Sequence, residues 1–304
     1  MLQMPGSLAE RLRSGAHRDG GWPYYSGRSS RIEATCWALL ALARQDPAPP
    51  GDELTRHLAF LTRLQQPGGL VVESGNGVPN FAWNGLALLT LGAFGDRADR
   101  GAVDRLRGAL IAVKGEALEN AVVNTGQDNR LQAWSWVAGT FSWTEPTALC
   151  LLALKQTSRP QAAARIREAD DLLFDRVCPT GGWNYGNATV LGQDLRPYVP
   201  TTALALLALQ DRRGEPIVDL SLAWLEAHAT SESSALALSL AAICLAVYRR
   251  PIDQLRAAIE AQQARTGFLD NYHLMAMALY ATTTAVHDAK HFRLTPPGAV
   301  EAAR

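Results

Sequence analysis

Residues 178–187 read CPTGGWNYGN, and shortly afterwards residues 200–209 read PTTALALLAL. The first phrase is glycine-rich and turn-forming, yet it carries a tryptophan and a tyrosine. The second is almost pure helix core. The same pairing stands near the N-terminus as DGGWPYYSGRSSRIEATCWALLAL, residues 19–42. A loop-plus-helix phrase that recurs marks a repeat unit.

Aligning the leucine–alanine phrases extends the repeat along the chain. EATCWALLAL (33–42), EPTALCLLAL (145–154) and PTTALALLAL (200–209) match almost residue for residue, and AWNGLALLTL (82–91) fits the same frame. SESSALALSL (231–240) and NYHLMAMALY (271–280) fit it more loosely. Helices this apolar on all sides belong between neighbours, not at a surface. Before each lies a segment with a single apolar stripe, such as Leu54/Leu58/Leu61 or Val218/Leu222/Leu225. Six alternations of amphipathic and apolar helix predict an all-α fold, an (α/α)6 toroid of six helical hairpins with inner and outer helix rings. Residues 1–290 are expected to form one domain, and 291–304 an extended or disordered tail. The long polar connection at 115–143 stands out, because long loops in compact domains often carry function.

Composition narrows the function classes. The 304 residues hold 29 Lys+Arg and 29 Asp+Glu, so the net charge is zero and no basic run marks a nucleic-acid footprint. No apolar stretch is long enough for a transmembrane segment. The N-terminus lacks the apolar centre of a signal peptide. The four cysteines show neither Cys-x-x-Cys nor disulfide-scaffold density, which points to a reducing, cytoplasmic setting. There is no P-loop, His-Glu-x-x-His or Gly-x-Ser-x-Gly motif. His17, His57, His228, His287 and His291 lack metal-ligand spacing and are expected at the surface.

Six αα repeats joined by Gly-Gly-Trp loops resemble the prenyltransferase and squalene-oxidase repeat proteins. This is the toroid superfamily of terpene cyclases and protein prenyltransferase β subunits, and the likeness is to its bacterial single-domain members. It spans roughly residues 5–287 and is closest at DGGWPYYSG, WSWVAGTFSWTEPTALCLLAL and CPTGGWNYGNATVLGQDLRPYVPTTALALLAL. The repeat signature is split here: Gln65…Gly69 and Gln263…Gly267 keep its glutamine, Gly20-Gly21-Trp22 and Gly181-Gly182-Trp183 its tryptophan. The Asp-x-Asp-Asp acid run of the cyclases is absent. His273 resembles the zinc histidine of the prenyltransferases, but no cysteine has an aspartate two residues before it. The expectation is therefore a protein with no metal and no cofactor. It binds or converts an isoprenoid or other hydrophobic small molecule in a central aromatic cavity, leaning to a cyclase- or transferase-like enzyme. The alternative is a non-catalytic binding protein, with a protein partner, on the same fold.

Candidate residues follow from the frame. Thr35, Asn84, Thr147, Thr202, Ser233 and His273 stand at one equivalent position near the start of each apolar helix. They either cap those helices or line the mouth of a cavity where six helix N-termini converge. Glu33 and Glu145 share a frame position, either as carboxylates favoured in a first helical turn or as rim acids for proton transfer. With Asp194 and His273 they form the candidate catalytic set. Asp128/Arg130 and Asp194/Arg196 read as loop ion pairs, with Arg196 a second candidate as a phosphate clamp. The loop aromatics either wedge between repeats or wall a pocket; Trp22 and Trp183 are assigned to the first role. Trp136, Trp143, Tyr185 and Tyr272, with Asn84 and Arg196, are assigned to substrate binding.

Overall fold

The computed structural model describes residues 7–45, 48–73, 77–118, 126–157, 159–283 and 289–294. The apolar phrases are helices α2 (Ile32–Leu42), α4 (Phe81–Ala93), α6 (Thr144–Gln156), α8 (Val199–Ala208), α10 (Ala235–Val247) and α12 (Tyr272–Thr283). The amphipathic segments are α1 (Leu8–Ser14), α3 (Gly51–Arg63), α5 (Arg100–Ala112), α7 (Ala163–Asp175), α9 (Pro216–His228) and α11 (Asp253–Thr266). Each apolar helix packs against the next in the series, and α12 returns to pack against α2, which closes the circuit. The amphipathic helices cover it: α3 on α2, α5 on α4, α7 on α6, α9 on α8, α11 on α10, and α1 on α12 and α2. Among the described residues no helix is long and apolar enough to cross a membrane.

Tryptophan-bearing loops lock the two helix types together. Trp22, Trp134 and Trp183 are completely buried. Their indole Nε1 atoms donate to the carbonyls of Leu12, Leu110 and Leu173 at 2.7, 2.9 and 2.7 Å, in the last turns of α1, α5 and α7. Carbonyls at a helix C-terminus lack intrahelical donors, so each tryptophan fills a space and satisfies an orphan at once. The backbone N–H of each donates to a threonine of the next apolar helix: Trp22 to Thr35 at 2.8 Å, Trp134 to Thr147 at 3.3 Å, Trp183 to Thr202 at 2.9 Å. Asn84 does the same for Val71, accepting from its N–H at 2.7 Å and donating to its C=O at 3.0 Å. These polar residues therefore tie loops to helices and cap nothing. The side-chain caps of α4 and α10 are Asn80 and Ser234, and Ser233 is exposed one residue earlier.

Glycine is required where the loops before α2 and α4 cross an amphipathic helix. Gly20 and Gly69 have φ of 90° and 94°, and a Cβ on either would lie 2.5 Å from a backbone carbonyl, that of Arg56 in α3 or of Arg105 in α5. Between α7 and α8 a short hairpin, β1 (Thr189–Val190) with β2 (Gln193–Asp194), turns at Leu191–Gly192 with both φ positive. The sequence carries no alternation that announces it.

The C-terminal segment corrects two expectations. Residues 291–294 are not tail: Lys290–Phe292 forms a 3-10 turn with Phe292 fully buried. Residues 295–304 lie outside the described residues. His291 and His57 are buried rather than superficial; His57 Nδ1 is bonded to the Gly20 carbonyl at 2.6 Å. His287 lies outside the described residues.

Candidate functional site

The apolar helices begin at equivalent places, and this puts one residue of each at a common level. The second residues of α2, α4, α6, α8, α10 and α12 are Glu33, Ala82, Glu145, Pro200, Leu236 and His273. In α2, α8 and α10 that residue is the only one not buried. Four residues on, one helical turn further along the same face, stand Trp37, Leu86, Leu149, Leu204, Leu240 and Met277. Eleven of these twelve, all but Ala82, line one cavity of about 210 Å³ to which all six apolar helices contribute. The cavity thus has two tiers: an apolar floor, and above it a tier bearing two carboxyls and an imidazole. His273 belongs to the frame position of Glu33 and Glu145, not to that of Thr35. The expected register for α10 and α12 is displaced by five and by two residues.

The acidic tier is electrostatically uneven. Glu33 Oε2 accepts a 2.5 Å hydrogen bond from the Tyr24 hydroxyl, and Glu33 Oε1 lies 3.8 Å from His273 Nε2. Burial and the neighbouring carboxylates raise the Tyr24 phenol pKa, so it stays the donor. Burial lowers the His273 pKa, with Glu33 opposing, and favours the neutral ring. Burial, with Glu33 adding, pushes Glu145 up to about 7. The two carboxyls of the tier thus differ in their surroundings, Glu33 bonded to a phenol and Glu145 buried. Behind Glu33, Arg31 bridges the buried Glu73 at 2.7 Å and lies 5.7 Å from the Tyr24 ring centroid. Glu73 in turn accepts from Ile32 N at the start of α2.

Tyr185 and Tyr198 form the mouth, both about half exposed with ring centroids 5.2 Å apart. Tyr185 is held by Thr144 N, which donates to its carbonyl at 3.0 Å, and Tyr198 N donates to the Trp183 carbonyl at 2.9 Å. The loop that locks the tryptophan wedge therefore also sets the mouth.

The structure brings Glu33, Glu145, His273 and Tyr185 together, and places the other sequence candidates elsewhere. Asp194 is exposed on β2 and accepts from Thr189 Oγ1 at 3.0 Å, and Arg196 is exposed just after it. Trp143 edges a separate hollow with Phe141 and Arg176. Trp136 is half-buried against the core, its carbonyl accepting from Phe81 N. Tyr272 packs its ring against the backbone of Gly15, and Asn84 is fully buried in its bonds to Val71. Asp128 and Arg130 do form the expected pair, at 2.9 Å. Sequence reasoning counted Tyr24 among the loop aromatics without assigning it to the site, and missed Tyr198 and the whole floor. The floor had a signal, a large residue one turn after each second helix position. Tyr198 had none. All four cysteines are buried and unpaired, and among the described residues no three His, Cys, Asp or Glu gather as a metal site.

No protein-family model and no curated protein matches the chain by sequence. Solved structures are similar in fold. A type II terpene cyclase from Scytonema, bound to geranylgeranyl dihydroxybenzoate, superposes with a TM-score of 0.56 at 16% identity over 85% of this chain and 75% of that one. An α-1,6-mannanase of Salegentibacter, bound to α-1,6-mannotriose, gives 0.62 at 12% identity over 91% and 97%. An α-amylase from Clostridium perfringens gives 0.64 at 10% identity over 92% and 99%. These neighbours are α/α toroid proteins, and identities this low speak for the fold alone.

Proposed function

We propose that the closed circuit of helices is an (α/α)6 toroid of six hairpins, and that its central cavity takes a neutral, isoprenoid-like small molecule. The observation that carries this reading is the two-tier lining contributed by all six apolar helices. Similar folds act on terpenoids and on glycans, so the lining must decide between them. The floor offers Trp37, Leu86, Leu149, Leu204, Leu240 and Met277. Sugar hydroxyls buried against such a surface lose their hydrogen bonds to water without replacement, which is costly. A branched hydrocarbon gains there instead, through apolar burial and the faces of Trp37 and the mouth tyrosines.

The acidic tier sets the other end of the ligand. Glu33 and Glu145, with no Lys or Arg among the described lining residues, disfavour a diphosphate and favour a neutral oxygen function such as an alcohol, ether or epoxide. Glu145, whose carboxyl burial pushes up to about 7, suits a general acid that gives its proton to that oxygen, or a base that removes one. Glu33, fixed by Tyr24 beside a neutral His273, supplies the second carboxyl. Asp194, Arg196, Trp143, Trp136, Tyr272 and Asn84 take no part in this proposal.

The test is a panel of geraniol, farnesol, their epoxides and their diphosphates, read by thermal shift and by mass spectrometry of products. Neutral members should stabilise the protein more than the diphosphates, and Glu145→Gln should keep the stabilisation while losing product. Preference for the diphosphates would sink the electrostatic argument. Stabilisation without product in the unaltered protein would leave a binding protein and remove the enzyme.

A further inference from the structure

The far side of the cavity floor is occupied by the chain's own C-terminal segment. Phe292 is completely buried and stacks on Trp37, with ring centroids 5.3 Å apart and planes 22° apart. Tyr280 of α12 stands nearly perpendicular to both rings, with centroids 6.3 Å from Trp37 and 5.3 Å from Phe292. Trp37 is thus a plate with the cavity on one side and Phe292 on the other. The segment is held there by amides from two further helices. Gln210, just after α8, donates to the Phe292 carbonyl at 2.7 Å and accepts from Leu294 N at 2.9 Å. Gln156, the last residue of α6, donates to the His291 carbonyl at 2.7 Å and to the Arg293 carbonyl at 3.3 Å. The anchoring residues come from four of the six apolar helices or their ends, so the segment sits across the ring and not against one wall.

We propose that Phe292 is the depth stop of the central cavity, fixing Trp37 as its floor and so limiting the length of the apolar ligand. This rests on the central cavity being the ligand site. The physical reason is that a tryptophan plate keeps its position only while something fills the space behind it. A cavity of about 210 Å³ is smaller than the roughly 300–1,000 Å³ of common ligand pockets. Without Phe292 the plate can fall back and the cavity deepen toward the far end of the ring. Phe292 acts on the floor through its ring contacts with Trp37 and Tyr280, and Trp37 in turn neighbours His273 of the acidic tier, with ring centroids 6.4 Å apart.

The experiment compares the unaltered protein with Phe292→Ala and the milder Phe292→Leu, the second guarding against loss of folding. Crystals under xenon pressure report the cavity without reference to any substrate, since dry apolar cavities take up xenon. Binding of hexanol, decanol and tetradecanol by calorimetry reports the length limit. The expected result is xenon density in the variants continuous with the central cavity, and a length limit moved toward the longer alcohols. Each added methylene accepted should strengthen binding roughly fourfold. Xenon continuous with the cavity while no alcohol binds any of the proteins would uphold the depth stop and defeat the ligand reading above. Xenon confined to an isolated void behind an unmoved Trp37, or an unchanged length limit in proteins that do bind, would overturn the proposal.

Discussion

Trp183 shows how one side chain serves both halves of a repeat: its ring is sealed, its indole N–H is bonded to Leu173, and its backbone N–H to Thr202. Trp183→Ala should cost roughly 3–5 kcal/mol, the range for removing a large buried aromatic, as measured by urea unfolding. Thr202→Val keeps the shape but strands a buried N–H, and should cost roughly 1–3 kcal/mol. A loss below about 0.5 kcal/mol for Thr202→Val would contradict that role of the bond. Glu145 makes a pH-dependent prediction. Its pKa is raised in the folded state to about 7, so the folded form holds the proton more tightly than the unfolded chain. The associated stability is present below the ordinary glutamate range and is lost as pH rises toward 7. Glu145→Gln should therefore melt close to the unaltered protein at acid pH and above it at alkaline pH; a parallel pair of curves would contradict the shift. The threonines were visible in the sequence as one polar residue per repeat, but their bonding was not, because the donors sit 13 or 19 residues away in a loop. Trp134 went unmatched to Trp22 and Trp183 because its loop has Gln132-Ala133 where theirs have paired glycines.

At the scale of elements, the alternation of apolar and amphipathic helices could be read directly, because burial on all sides leaves a composition that no surface helix has. Register was the harder matter. Alanine–leucine phrases match themselves at several offsets, so SESSALALSL and NYHLMAMALY aligned plausibly in the wrong frame. Counting from the helix-entry residue removes the ambiguity: the second helix residue stands two after Asn80, Ser234 or Asn271, each of which accepts from a first-turn N–H. Only that count places His273 with Glu33 and Glu145. A loop glycine and a helix glycine give a test with opposite signs at α5. Gly69→Ala puts a methyl against the Arg105 carbonyl of α5 at positive φ, and should destabilise by more than about 1 kcal/mol. Gly108→Ala, on the exposed face of α5 with open space around it, should stabilise by roughly 0.5–1 kcal/mol. Equal effects from the two would mean that the loop–helix approach is not close.

At the scale of the whole molecule, the sequence showed that six helix starts gather, and four of the candidates named from it, Glu33, Glu145, Tyr185 and His273, line the cavity. It could not show the floor, since an inward-facing leucine and a leucine packed between neighbours look alike in a helix apolar all round. Nor could it show that the C-terminal segment returns to the ring, because nothing in KHFRL is distinctive until Gln156, Gln210 and Trp37 are seen to receive it. Closure of the ring, the two tiers and the plugged end together define the central claim, that this cavity is built for a compact neutral apolar ligand. Calorimetric titration with geraniol of the unaltered protein and of Leu204→Trp, which fills the floor, tests that claim most directly. The account predicts one binding event per chain, abolished in Leu204→Trp while that variant's circular-dichroism spectrum is unchanged. Binding of equal strength to both proteins, or to neither, would contradict it.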